Sequence, residues 1–160
     1  MVTRRSFLFG LAGVGVVGFG GLVYSQLPGE KIPTGYPVIR YGEETCARCR
    51  MVISNAKFAA AWRQTDGSEE HFDDIGCMVL LNRDRHIGVD VQFWVHDFES
   101  EQWLDAVSCL YEISSETHSP MGYGISATSM NASPNATSAT ATNSKIVDWS
   151  ALQRVMKDEK

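Results

Sequence analysis

The chain has 160 residues, 44% of them hydrophobic and 10% aromatic, enough for one core of ordinary size or two small units packed as one body. Its formal net charge is −5, and setting aside residues 1–25, which hold Arg4 and Arg5 and no acid, leaves the remainder more acidic still. No basic footprint for nucleic acid is left.

The N-terminus reads as an address. Thr3-Arg4-Arg5-Ser6-Phe7-Leu8 sets an arginine pair ahead of a glycine-rich, uncharged run from Phe7 to Tyr24, which resembles a twin-arginine export signal. As a helix the run would extend roughly 27 Å, close to a bilayer core, so it serves either as a cleaved signal or as a retained anchor. Val23-Tyr24-Ser25 is a poor cleavage site. No cysteine precedes Cys46, which argues against a lipidated cysteine. Either way the folded part is expected outside the cytoplasmic membrane, periplasmic or extracytoplasmic.

Residues 26–42 carry Leu27-Pro28-Gly29, Ile32-Pro33-Thr34-Gly35 and Tyr36-Pro37, where prolines remove donors and glycines break periodicity, as in a tether. Cys46-Ala47-Arg48-Cys49-Arg50-Met51 follows, two thiols and a thioether within six residues, a set of soft donors suited to Cu(I). Strand-like runs Phe58–Arg63 and Glu70–Phe72 flank Thr65-Asp66-Gly67-Ser68 and predict a hairpin. Asp73 or Asp74 is placed to cap a short helix through Cys77-Met78-Val79-Leu80-Leu81-Asn82. Val89–Phe98 alternates apolar and polar residues and predicts a strand paired with Trp103–Tyr111.

Ser119-Pro120-Met121-Gly122-Tyr123-Gly124 predicts an exposed turn that aims Met121 outward. Residues 126–144 collapse to Ala, Ser, Thr and Asn, a low-complexity linker or weak helix. Ile146-Val147 gives a short strand, and Asp148 or Ser150 caps a terminal amphipathic helix over Ala151–Met156.

Four segments, in order, now form a pattern: Cys46-x-x-Cys49-Arg50-Met51, Phe72-Asp73-Asp74-Ile75-Gly76-Cys77-Met78, Trp103-Leu104-Asp105-Ala106 and Pro120-Met121-Gly122-Tyr123-Gly124. Together they resemble the NosL family, accessory proteins of nitrous oxide reductase, over residues 43–157. The resemblance implies an α+β domain of two similar ββαβ units and a Cu(I)-binding metallochaperone with no catalysis of its own. It would receive copper from a membrane transporter and supply it to a cuproenzyme, nitrous oxide reductase. Position by position, Cys49 and Met51 match the family's Cys-x-Met and Met121 its Pro-Met-Gly methionine. Cys46 matches the first cysteine of members with two. Arg50 stands where that family often has glycine.

The chemistry favours copper independently. Cu(I) accepts two or three sulfur ligands and leaves room for a donor from a partner, whereas a closed tetrahedral thiolate site of the structural-zinc kind holds its metal. Cys49 and Met51 are therefore assigned as core ligands, Met121 as a donor across the cleft and Cys46 as a fourth or resolving thiol. His71 and Cys77 extend the candidate set, although a strand-end histidine is more often solvated. His96 and His118 default to the surface, and Met78 to the core. Three rival readings stand beside this one. Cys46 with Cys49, or Cys77 with Cys109, are structural disulfides in a stapled binding domain; Cys46/Cys49 is the redox pair of a thiol-disulfide oxidoreductase; or the cysteines form a zinc ribbon, which would need a second CxxC.

Overall fold

In the computed structural model residues 34–88, 90–131 and 144–158 are described, residues 157 and 158 without their side chains. The arginine pair, the apolar run Phe7–Tyr24 and most of the low-complexity stretch lie outside the described residues.

The predicted first hairpin forms between β1 (Ala60–Arg63) and β2 (Glu69–Phe72), with Ala60 opposite Phe72. Its turn uses the expected chemistry: Asp66 Oδ1 accepts from Ser68 N (2.9 Å), and Gly67 adopts φ +87°, a left-handed conformation open to glycine at little cost. Helix α1 (Ile75–Arg85) follows and leads into β3 (Gln92–His96), which pairs antiparallel with the other side of β1. β4 (Trp103–Asp105) completes a four-stranded sheet of order β2-β1-β3-β4.

The second strand pair is shorter than alternation predicts, because Trp103–Tyr111 is interrupted. Asp105 caps a 3-10 turn at Ala106–Ser108, accepting from Val107 N (3.0 Å), and the buried Tyr111 hydroxyl donates back to Ala106 O (2.6 Å). That corner sends β5 (Cys109–Ser114) into a second sheet with β6 (Ile125–Ser129) and β7 (Ser144–Asp148), of order β6-β5-β7. Ser126–Ser129, which composition alone places in the linker, thus form most of β6. Small residues suffice there: Ser126 and Ala127 fit buried positions, while Thr128, opposite the exposed Leu110, faces out.

The two sheets repeat one plan. In each, the first strand is central and pairs antiparallel with the second and third. The first unit is a complete ββαβ with α1 as its helix; in the second, the residues joining β6 to β7 lie outside the described residues. The domain is α+β, as the resemblance implied. A terminal helix α2 (Trp149–Asp158) begins where Asp148 Oδ1 accepts from Ala151 N (2.7 Å), and it buries Trp149, Leu152 and Met156 at helical spacing. Trp149 packs between Phe93 of β3 (5.4 Å) and Tyr111 of β5 (5.9 Å), joining both sheets through one indole.

His96 departs from its expected surface position. It is 5% exposed, stacked on Trp103 (3.7 Å), with Nδ1 on Glu101 O (2.8 Å) and Nε2 on the Tyr41 hydroxyl (2.9 Å). Tyr41 reaches it from the end of the predicted tether, where Ile39 also joins the core and Gly35 O accepts from Arg63 Nη1 (3.0 Å).

Candidate metal centre

The Cys46–Met51 segment folds as a closed loop. Cys46 N donates to Met51 O (2.8 Å) and Arg50 N to Cys46 O (3.0 Å), while Thr45 and Val52 form an antiparallel bridge at its base. Arg50 turns the chain at φ +66°, a left-handed conformation that strains a residue with a Cβ. Ala47 N donates to His71 O (2.9 Å), fastening the loop to β2.

Helix α1 enters the molecule amino end first, with Ile75–Leu80 all buried. Its cap must therefore be satisfied out of solvent. Of the two predicted candidates Asp74 is the N-cap: Oδ1 accepts from Gly76 N (2.8 Å), and Oδ2 accepts from Ser119 Oγ (2.6 Å) and Met121 N (3.1 Å). Asp73 turns instead to Ser54 N (2.9 Å). One carboxylate thus starts the helix bearing Cys77 and holds down the loop bearing Met121. Tyr123 completes the closure, its ring lying so near Gly76 that a Cβ there would meet Tyr123 Cδ2 at 2.3 Å.

These elements bring three thiols together. The Sγ atoms of Cys46, Cys49 and Cys77 all lie within 4.8 Å of one another. Cys46 and Cys77 are 0% exposed, whereas Cys49 is partly exposed. Cys77 therefore stands in the cluster with the CxxC pair. Its alternative partner Cys109 is a free, buried thiol that donates to Asp105 O (3.1 Å).

The cluster is electrostatically divided. A hydrogen bond from the Cys77 thiol is the main influence on Cys46. Burial opposes it, the N–H groups of Asp73, Cys49 and Arg48 assist it, and Cys46 falls from 9.0 to about 5. Cys77, as the donor in that bond and through its burial, is pushed far up. Cys49 is raised by burial, which the Met51 N–H only partly offsets. At neutral pH the three-thiol cluster thus holds one thiolate and two thiols. Asp73 and Asp74, raised by their own burial and by the nearby Cys46 charge, complete the site's negative side. On the other side Arg48 reaches across from between the two loop cysteines, to the Tyr123 hydroxyl (3.4 Å) and to Asp84 of α1 (3.8 Å).

The remaining candidates are placed as follows. Met51 is 51% exposed, two residues beyond Cys49. Met121 is not aimed outward: it is partly buried and packed against the core, because its backbone is bound to Asp74. His71 is also not solvated. Its Nδ1 engages Glu44 Oε2 and its Nε2 lies 3.6 Å from Glu69 Oε2, and His71 is not part of the three-thiol group. Arg48, Ser119 and Tyr123 were not legible as site residues. The signal for Cys77 was present in the sequence, since a cap at Asp74 puts Cys77 in the first helical turn, where the positive end of the helix favours a thiolate or its metal.

Among solved structures, the crystal structure of the copper chaperone NosL from Shewanella denitrificans matches with a TM-score of 0.51 and 17% identity. The match covers 62% of this chain and 82% of that one. The domain shares the NosL fold. No family model matches the chain, and no curated protein matches it. The resemblance carried by the four sequence segments is therefore met by the fold, and the three-thiol cluster lies in two of those segments.

Proposed function

We propose that this domain is an extracytoplasmic metallochaperone that binds one Cu(I) and passes it to a cuproenzyme. The observation that carries the reading is the convergence of Cys46, Cys49 and Cys77 within 4.8 Å with one thiol facing outward. Three sulfur donors, with no imidazole or carboxylate oxygen in the group, suit a soft monovalent ion, and a set of only three protein donors suits transfer better than storage. The NosL-like fold supports the same cargo. Met51, half-exposed beside Cys49, and Met121, on the loop tied to the Cys77 helix, are the thioethers for capture and completion.

Nitrous oxide reductase is the client and a copper-donating membrane transporter the source on this proposal, which rests on the NosL resemblance. The arginine pair before the apolar run supports twin-arginine export, with the domain in the periplasm and the run as signal or anchor. Anaerobic titration of the reduced protein with Cu(I) tests the cargo. One equivalent should bind tightly, with sulfur scattering at the copper edge, and Cys46→Ser or Cys49→Ser should remove that binding. Full binding by a variant lacking all three clustered cysteines would refute the assignment.

A further inference from the structure

The three thiols differ in access, and that difference gives an order to their chemistry. Cys49 is the only one of the three that solvent reaches, while Cys46 and Cys77 are fully buried behind it. Cys46 sits in the same short loop as Cys49, closed by the Cys46–Met51 and Arg50–Cys46 backbone bonds. Cys77 is instead fixed to a helix whose first turn is locked by the Asp74 cap and by the Tyr123 ring against Gly76. We propose that the centre is also a thiol-disulfide switch, in which Cys49 is the residue that reacts with an external disulfide and Cys46 the resolving one. A Cys46–Cys49 disulfide then empties the site while Cys77 stays a thiol.

The step needs an external disulfide as oxidant. Cys49 gives up its proton and attacks one sulfur of that disulfide, forming a mixed disulfide, and the departing small thiolate takes up a proton to leave as the first small thiol. Cys46 attacks the Cys49 sulfur, forming the Cys46–Cys49 bond and releasing the second. Two protein thiols are oxidised and one external disulfide is reduced to two thiols, with protons conserved. A disulfide requires sulfurs about 2.05 Å apart, and all three thiols start within 4.8 Å of one another, so distance does not choose the resolving residue. The choice of Cys46 rests on its place three residues from Cys49 in the same closed loop, whereas Cys77 is carried by the separately capped helix. The consequence for metal follows from valence: a disulfide sulfur is no thiolate ligand, so two of the three donors vanish together.

The inference deepens the copper reading, and its test separates the two. The full-length chain is equilibrated without metal in graded mixtures of reduced and oxidised glutathione, alkylated, and mapped by mass spectrometry. The expected product is one intramolecular disulfide, Cys46–Cys49, formed equally in Cys77→Ala and absent in Cys49→Ser, with Cys49→Ser accumulating no buried glutathione adduct. The same samples are then titrated with Cu(I) after removal of the buffer. Bound copper should fall in step with the oxidised fraction and return on reduction. A mapped disulfide that includes Cys77 or Cys109, no disulfide at all, or full copper binding by the oxidised chain would overturn the switch. A reduced chain that forms the disulfide yet binds no Cu(I) would sink the copper reading and leave the thiol chemistry standing.

Discussion

The Cys77 thiol is the largest influence holding Cys46 at about 5, so replacing it isolates the electrostatics of the thiol cluster. In Cys77→Ala the donor is lost, and a hydrogen bond to a charged acceptor is worth ~1.5–3 kcal/mol. At 1.36 kcal/mol per unit, Cys46 should rise by ~1–2 units. Cys77→Ser keeps a donor and should rise less. Thiolate absorbance in the ultraviolet, followed against pH on the reduced chain, reads this directly, since Cys49, Cys77 and Cys109 are all raised and stay protonated in that range. Stability should move with it. A thiol depressed from 9.0 to about 5 contributes stability that is complete above 9 and is lost as pH falls through the folded value, so unfolding free energy should climb between pH 5 and 9. The climb should begin at higher pH and be smaller in total in Cys77→Ala, with the same slope. An unchanged absorbance midpoint in that variant would show that the loop N–H groups, not the helix cysteine, set the thiolate.

Asp74→Ala should cost ~2–3 kcal/mol in chemical denaturation, combining a lost cap with the orphaned Ser119 and Met121 donors; a loss under ~1 kcal/mol would mean that water replaces the carboxylate. Gly76→Ala should destabilise by ~1–3 kcal/mol and shift the Tyr123 ring, seen as altered near-ultraviolet dichroism or tyrosine fluorescence. Arg50→Gly relieves ~1–2 kcal/mol of left-handed strain but frees the unfolded chain by ~0.4–1 kcal/mol, so a small net stabilisation is expected and a clear loss would contradict it. Loading Cu(I) at pH 8 should release about two protons in weakly buffered solution, because Cys49 and Cys77 begin protonated, and about one in Cys77→Ala, where Cys46 stays ionised despite its rise.

Local chemistry made some elements readable. The Asp66-Gly67 turn, the Asp74 cap and the Asp148 start of α2 each depend on side chains within a few residues, and each forms where the spacing puts it. What failed depends on distance along the chain. The polar neighbours of His96 suggest exposure, yet Tyr41, from 55 residues earlier, covers it. The Pro-Met-Gly turn reads as exposed, and only the long-range bond to Asp74 draws Met121 inward. Cys77 belongs to the candidate set, and the local Asp74 cap puts it in the first turn of α1, but its meeting with the thiols of an earlier loop depends on contacts distant in the chain. The break at Ala106 escaped because alternation continues through a corner that Asp105 and Tyr111 create together.

On the copper-transfer proposal, the same bonds let the site be both ordered and open. Cys46 and Cys77 are set by groups that metal does not provide: the loop's backbone bonds, the Ala47–His71 link and the Asp74 cap are all made within the protein itself. The entropy of bringing two donors together is thus met by folding, which favours capture at low ion concentration. Cys49 differs, since its side faces solvent and its loop turns through the strained Arg50. On the proposed reading, an incoming partner ligand can approach only from that side, and Cys49 is the first bond exchanged. A buried, preformed pair with one accessible sulfur therefore gives affinity and exit different residues, so that changing Cys49 should alter transfer rate more than it alters the geometry of the remaining two thiols.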